Sequence, residues 1–291
     1  MYYSGEGVEK DDAEGAKWYR KAAEQGDAEA QVNLGVMYAK GVGVDQDYVE
    51  ALKWYRLAAD QGRASAQFNL GWMYVYGLGV TKDEKEAVSW FRKAAKQSNR
   101  NAQYFLGWAY EDGLGVTKDD QEAVKWYRRA AEQGHTNAQN SLGLRYGSGR
   151  GVPKDDKEAV RWFRDAADQG HAMAQSNIGV MYEEGRGVTK DYVEAVKWYR
   201  LAADQGYAEG QNNLGNMYYS GGGVDRDDVE AVRWYRLAAD QDNARAQGNL
   251  GLMYYNGEGV AKDKEKARLW FTKAAKNGDE PAKQYLLKLG F

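Results

Sequence analysis

Tryptophan stands at 18, 54, 90, 126, 162, 198, 234 and 270, a step of 36 residues with no insertion. A fixed period of that length is the signature of a repeat architecture, in which each unit is one supersecondary element. Tyr2, Tyr38, Tyr74, Tyr110, Tyr146, Tyr182, Tyr218 and Tyr254 keep the same step, and so do Gly-x-Gly-Val loops from Gly5, Gly7 and Val8 to Gly257, Gly259 and Val260. Eight such units account for nearly all of the 291 residues. Length alone suggests two domains. The period predicts one repetitive body over residues 1–291, with no linker.

Each unit reads as two helices. In the second, helix B, Ala51, Trp54, Tyr55, Ala58 and Ala59 fall at i, i+3, i+4, i+7 and i+8, one apolar stripe at helical spacing. Asp47 and Glu50 have the N-cap and N3 spacing of a capping box, and Gly62 is placed to end the helix. The first, helix A, is expected from about Asp27 to Lys40, with Ala30, Leu34, Met37 and Tyr38 buried. Gly35 recurs inside it at 71, 107, 143, 179, 215 and 251. A helical glycine costs about 1 kcal/mol relative to alanine, so its recurrence points to close helix approach, for which the Ala-Ala pairs of helix B are suited. Strand-like alternation is absent. One helix pair cannot bury its own apolar face, so the pairs must stack, and the tryptophans become a continuous spine. The expected fold is all-α, with sixteen helices in strict B–A alternation.

The unit reads Ala-Gln-x-Asn-Leu-Gly-x-Met-Tyr, Gly-x-Gly-Val, Lys-Asp, then Glu-Ala-x-x-Trp-Tyr-Arg-x-Ala-Ala-x-Gln-Gly. It resembles the Sel-1-like repeat, a relative of the 34-residue tetratricopeptide repeat, and the resemblance covers all eight units. It implies a right-handed α-solenoid with helices A along the concave side, used as an adaptor or scaffold for a protein or peptide partner. A cysteine-rich branch of the family, with disulfide-linked helix pairs, is associated with β-lactam binding or hydrolysis. This chain has no cysteine and matches that branch poorly. Met1-Tyr2-Tyr3-Ser4-Gly5 aligns with Met217–Gly221, the tail of a helix A, so the chain is expected to begin inside a repeat, an incomplete end open to end-to-end self-association. Trp18 and Tyr19 should then be less covered than Trp54 and Tyr55. At the other end Leu287 replaces the helix A glycine and Lys283 its glutamine, as expected of a terminal cap.

Positions that change between units point to the function. On helix A these are the equivalents of 29, 32, 36, 39 and 40, expected opposite the buried stripe and therefore open. Two tryptophans lie off the spine, Trp72 and Trp108, both in the register of Val36. Phe68 and Tyr104 precede them by one turn, Tyr76 follows Trp72, and Phe105 stands where most units have asparagine. These six aromatics form the candidate partner-binding patch, because contiguous exposed apolar surface and aromatic anchors mark binding sites. Leu144 and Arg145, the latter in place of methionine, extend the candidate face. Glycan stacking on the same rings is the alternative ligand. Helix B instead exposes charge, such as Lys53, Arg56 and Asp60, and is expected to be the solvated back.

Other chemistry finds little support. Forty basic against 43 acidic residues, a net charge of −3, lack the basic face of a nucleic-acid binder. No apolar run approaches the roughly 18 residues of a membrane helix, and no signal peptide opens the chain; neither fixes a compartment. His135 and His171 share one register at the start of consecutive A helices and lack the further ligands a zinc site needs. The glycine loops follow helices, whereas a dinucleotide loop follows a strand. No nucleophile–base pair emerges, so no catalytic residue, metal or cofactor is expected.

Overall fold

The computed structural model describes residues 11–288 and Gly290. The helix remnant expected at Met1–Gly5 and the first Gly-x-Gly-Val motif lie outside the described residues. Two units make up the chain, Met1–Ala138 with Arg150–Pro153 and Gln139–Gly149 with Lys154–Phe291. The first holds α1 (Asp12–Glu24), α2 (Ala28–Lys40), α3 (Tyr48–Asp60), α4 (Ala64–Tyr76), α5 (Glu84–Lys96), α6 (Arg100–Asp112) and α7 (Asp120–Glu132). Helix α8 (Thr136–Ser148) spans the division. The second continues with α9 (Asp156–Ala167), α10 (Ala172–Glu184), α11 (Tyr192–Asp204), α12 (Ala208–Ser220), α13 (Asp228–Ala239), α14 (Ala244–Asn256), α15 (Lys264–Lys276) and α16 (Glu280–Lys288). Odd-numbered helices are B and even-numbered are A. No strand occurs among the described residues, and the fold is an all-α solenoid of helix pairs.

Helix B starts where an aspartate satisfies free backbone donors. Asp47 accepts from the N–H groups of Val49 and Glu50 at 2.8 and 3.0 Å. The expected capping box is only half formed. The Asp47 N–H already donates to the Tyr38 carbonyl at 3.0 Å, so Glu50 has no donor to reach back to and pairs with Lys53 instead.

The helix A glycine is explained by an aromatic ring, not by the Ala-Ala pair. A Cβ on Gly71 would lie 2.5 Å from the Phe91 ring, and one on Gly35 would lie 2.6 Å from Tyr55. From Tyr55 to Phe271, the residue after the spine tryptophan therefore packs its ring against the glycine of the preceding helix A. Between pairs, the second loop glycine makes the contact. Gly115 (φ +65°) sits so close to the start of α5 that a Cβ would come within 2.3 Å of the Glu84 carbonyl oxygen. The loop after one helix A is thus seated on the first turn of the preceding helix B.

Side-chain amides tie these layers together, a role not read from the sequence. In the first unit the buried Gln67 donates to the Ala59 carbonyl at 3.3 Å. Its own amide oxygen accepts from Gln97 at 2.9 Å. The second unit repeats the link, Gln205 donating to Gln175 at 2.7 Å. Arg56, expected as plain solvated charge, donates to the Tyr74 hydroxyl at 2.6 Å. The B face is also less polar than expected, for Val49, Leu57, Val193, Leu201 and Leu237 are exposed and Val229 is 66% accessible.

The spine is core at four of its eight positions, and Trp126 and Trp270 are half-buried. Trp90, Trp162, Trp198 and Trp234 are buried, whereas Trp18 is 54% exposed and Trp54 is half-buried. Tyr19 is half-buried and Tyr55 buried, the order expected from the sequence. At the far end Leu287 is 83% exposed, Lys283 pairs with Glu280 at 2.5 Å, and Tyr285 stacks on Phe271 at 5.2 Å. Two stability predictions follow from these contacts. Gly71→Ala should gain helix propensity of up to about 1 kcal/mol yet lose about 1–3 kcal/mol to overpacking, so its urea midpoint should fall. Gln67→Leu should cost about 1–3 kcal/mol, since it removes two hydrogen bonds, one to the Ala59 carbonyl and one from the Gln97 amide, each worth about 0.5–1.5 kcal/mol; a wild-type midpoint for either variant would contradict the packing described.

Candidate functional site: an aromatic block on the A helices

All six predicted aromatics come together in the first unit, and Phe105 is their hub. Its ring centroid lies 5.7 Å from Phe68, 4.9 Å from Trp72, 5.5 Å from Tyr104 and 5.8 Å from Trp108. It also stacks on Phe91 of helix B at 5.4 Å, the contact that Tyr285 makes with Phe271. Phe105 is therefore a packing residue as well as a member of the patch.

The expectation that the register of Val32 is open is corrected by its burial. Val32, Asn140, Ser176 and Asn212 are buried, and Phe68 and Tyr104 are half-buried. Within each unit neighbouring A helices meet here, a residue in this register facing the register of Asn33 in the next repeat. In the second unit these meetings are polar: Asn177 donates to Asn140 at 2.9 Å, and Asn249 to Asn212 at 3.0 Å. In the first unit the same seam holds Phe68 against Phe105.

Three rings stand on the outer side of this seam. Tyr76 is 51% exposed, and Trp72 and Trp108 are half-buried. Trp72 and Tyr76 are packed at 4.4 Å. Tyr104 is turned inward, 4.6 Å from the His135 ring, and burial pushes its hydroxyl pKa above the ordinary value. Between α4 and α6, above α5, lies a cleft of about 290 Å³ walled by Tyr76 and Trp108.

The remaining predicted residues belong to the second unit. Leu144 is 46% exposed. Arg145 is not at the surface: it occupies the buried methionine register and is 5% exposed, so it offers a partner almost no area. A polar cleft of about 680 Å³ is also present there, lined in part by Asn212, Asn213, Asn216 and Asn249.

Both histidines enter helices. His135 accepts at Nδ1 from the Ala138 N–H, and His171 from the Ala174 N–H, each at 3.2 Å. Among the described residues no three His, Asp or Glu side chains are grouped as a metal ligand set. No described helix is long and apolar enough to cross a membrane.

Stacked helix pairs with an amide-tied seam define a helical-repeat solenoid. The Sel1 repeat profile matches residues 1–27, 28–62, 64–99, 100–135, 136–171, 172–207, 208–243 and 244–279, and the chain belongs to the Sel1 repeat family. Among solved structures it is similar to a protective antigen of uropathogenic Escherichia coli strains with an SLR fold. The two are 41% identical over 97% of this chain and 60% of that one, with a TM-score of 0.86. It is also similar to a Sel1 repeat protein from Oxalobacter formigenes, 39% identical over 95% of this chain and 80% of that one, with a TM-score of 0.74. This chain thus spans three-fifths of the length of the E. coli antigen. The comparison with curated proteins found no match.

The His171 cap carries a pH dependence. Burial holds its imidazole below its ordinary value, which is about 6.5, and Nδ1 can accept the Ala174 N–H only when unprotonated. As pH falls the unfolded chain takes up the proton first, so this contribution is complete above about 6.5 and is lost as pH falls through the lower folded value. His171→Asn, which keeps a cap acceptor, should show a smaller drop in urea midpoint between pH 7.5 and 5.5 than wild type. An equal drop would remove His171 as the source.

Proposed function

We propose that the protein is a non-catalytic scaffold that binds a polypeptide partner along the A-helix face, with Trp72, Tyr76 and Trp108 as anchors. The observation that carries this reading is the aromatic block itself. Phe68 and Phe105 fill a seam that asparagine and serine fill in the second unit, so the scaffold does not require rings there. They form a rigid base under three outward aromatics, and such anchors on a firm support dominate binding energies. Tyr104 and Phe105 act from beneath the surface, and Leu144 is a separate exposed apolar position on the second unit. The Sel1 repeat family supports a scaffold, and the use of Nδ1 as a helix cap in both histidines is in keeping with a structural role for them.

Binding and folding should separate. Trp90 is buried core, and Trp90→Ala should cost about 3–5 kcal/mol. Trp72→Ala and Trp108→Ala, at half-buried sites, should cost about 1–2 kcal/mol each. Peptides selected on the wild-type protein from a displayed random library should bind the Trp72→Ala/Trp108→Ala variant about 100-fold more weakly, since truncating an anchor costs about 2 kcal/mol or more. A single variant, Trp72→Ala or Trp108→Ala, that melts as far below wild type as Trp90→Ala, or a double variant that binds selected peptides at full strength, would refute the site.

A further inference from the structure

The cleft between α4 and α6 has a chemistry of its own. Its floor is apolar, built from Val88 and Phe91 of α5 and from Phe105 and Ala109 of α6. Tyr76 and Trp108 form its walls, and Lys82, Glu84 and Asp112 stand at its edge. Lys82 and Glu84 neutralise one another in an ion pair of 2.8 Å. Asp112 has no cationic partner among the described residues.

The aromatic walls are also unused by cations. Elsewhere in this unit Lys93 stands over the Trp90 ring at 3.6 Å, and Arg129 over Trp126 at 4.5 Å. No cation among the described residues stands over Trp72, Tyr76 or Trp108. Helices α4 and α6 both end here, at Tyr76 and Asp112, and helix carboxyl ends favour positive charge. The amino end of α5 opens at the same place, but Asp83 caps it through the N–H groups of Lys85 and Glu86, and Glu84 lies in its first turn. An unpaired carboxylate, two bare ring faces, two helix carboxyl ends and an apolar floor complement a cation carried on an apolar stem.

We propose that this cleft is an arginine-binding site, which takes one arginine side chain of the bound polypeptide. The methylene stem lies on Val88, Phe91 and Ala109, and the guanidinium reaches Asp112 between Tyr76 and Trp108. Arginine fits better than lysine because its planar head stacks on aromatic faces and pairs with carboxylate, and because it is less strongly hydrated. A stem in apolar surroundings with its charge at the mouth is the ordinary way such a side chain is accommodated. The inference rests on the scaffold reading above and adds the identity of the residue recognised.

The test uses the whole chain and acetyl-Gly-Arg-Gly-amide as probe, with citrulline and norleucine peptides as neutral counterparts. Binding is read from the indole N–H resonances of Trp72 and Trp108 by NMR. The arginine peptide should shift the Trp108 resonance and bind at least tenfold more tightly than either neutral peptide. Asp112→Asn should abolish that preference while the spine indole resonances stay in place, which shows that the fold is intact. Equal binding of the three peptides, or an arginine preference that survives in Asp112→Asn, would overturn the proposal. The displayed library separates the two levels: enriched peptides that need Trp72 and Trp108 but carry no arginine would leave the scaffold standing and remove the arginine site. A library with no enrichment would remove the scaffold reading itself.

Discussion

A glycine pressed against an aromatic ring sets the distance between the two helices of each pair, and the other contacts are built on that distance. With Gly71 on the Phe91 ring and Gly35 on Tyr55, the backbones come close enough for Ala58 and Ala94 to be fully buried. The same approach leaves little room for long side chains at the centre of a pair. The large tryptophans are displaced to the junctions between pairs. The seat of Gly115 on the start of α5 and the bond from Gln67 to the Ala59 carbonyl of α3 then fix how one pair follows the next. Both contacts are between atoms with little freedom, so a repeated step results without long-range design.

Because backbone, glycine and glutamine fix that step, the seam between neighbouring A helices can vary. Asn140 with Asn177, Ser176 with Asn213 and Phe68 with Phe105 occupy equivalent places. The polar pairs satisfy each other by hydrogen bonds, and the aromatic pair gains by apolar burial and ring contacts. Each choice alters what stands above the seam. Amides leave a polar cleft over Asn212 and Asn249. Rings raise Tyr76 and Trp108 around an apolar one. One fold thus carries two chemically distinct faces on its A helices.

Much of this was legible in the sequence because a period of 36 removes ambiguity. The helix pairs, the buried stripe of Leu34 and Met37, the glycine ends and the off-spine tryptophans all follow from register. What the sequence obscured is which exposed-looking positions meet a neighbouring unit. Helical-wheel geometry treats a helix as facing one partner, yet helix A also meets the helix A of the next pair, so Phe68 and others in the register of Val32, expected outside, lie in a seam. Arg145 differs from expectation for the opposite reason: its charge suggests solvent, whereas its register is that of a buried methionine. The glutamines were seen as motif letters, and only their distances show them bonding to carbonyls of the preceding helix.

The central claim is that the fold can do without the aromatic seam and that binding cannot, and replacing it with the amide seam tests this directly. Phe163 in the second unit already stands before an Asn140–Asn177 seam, so Phe91 has a native precedent for the same surroundings. Urea unfolding of Phe68→Asn/Phe105→Asn, followed on the same sample by binding of library-selected peptides, gives both halves of the answer. The account predicts a cooperative transition with a midpoint well above that of Trp90→Ala, together with loss of peptide binding. A variant that unfolds as readily as Trp90→Ala, or one that still binds the peptides at wild-type strength, would contradict it.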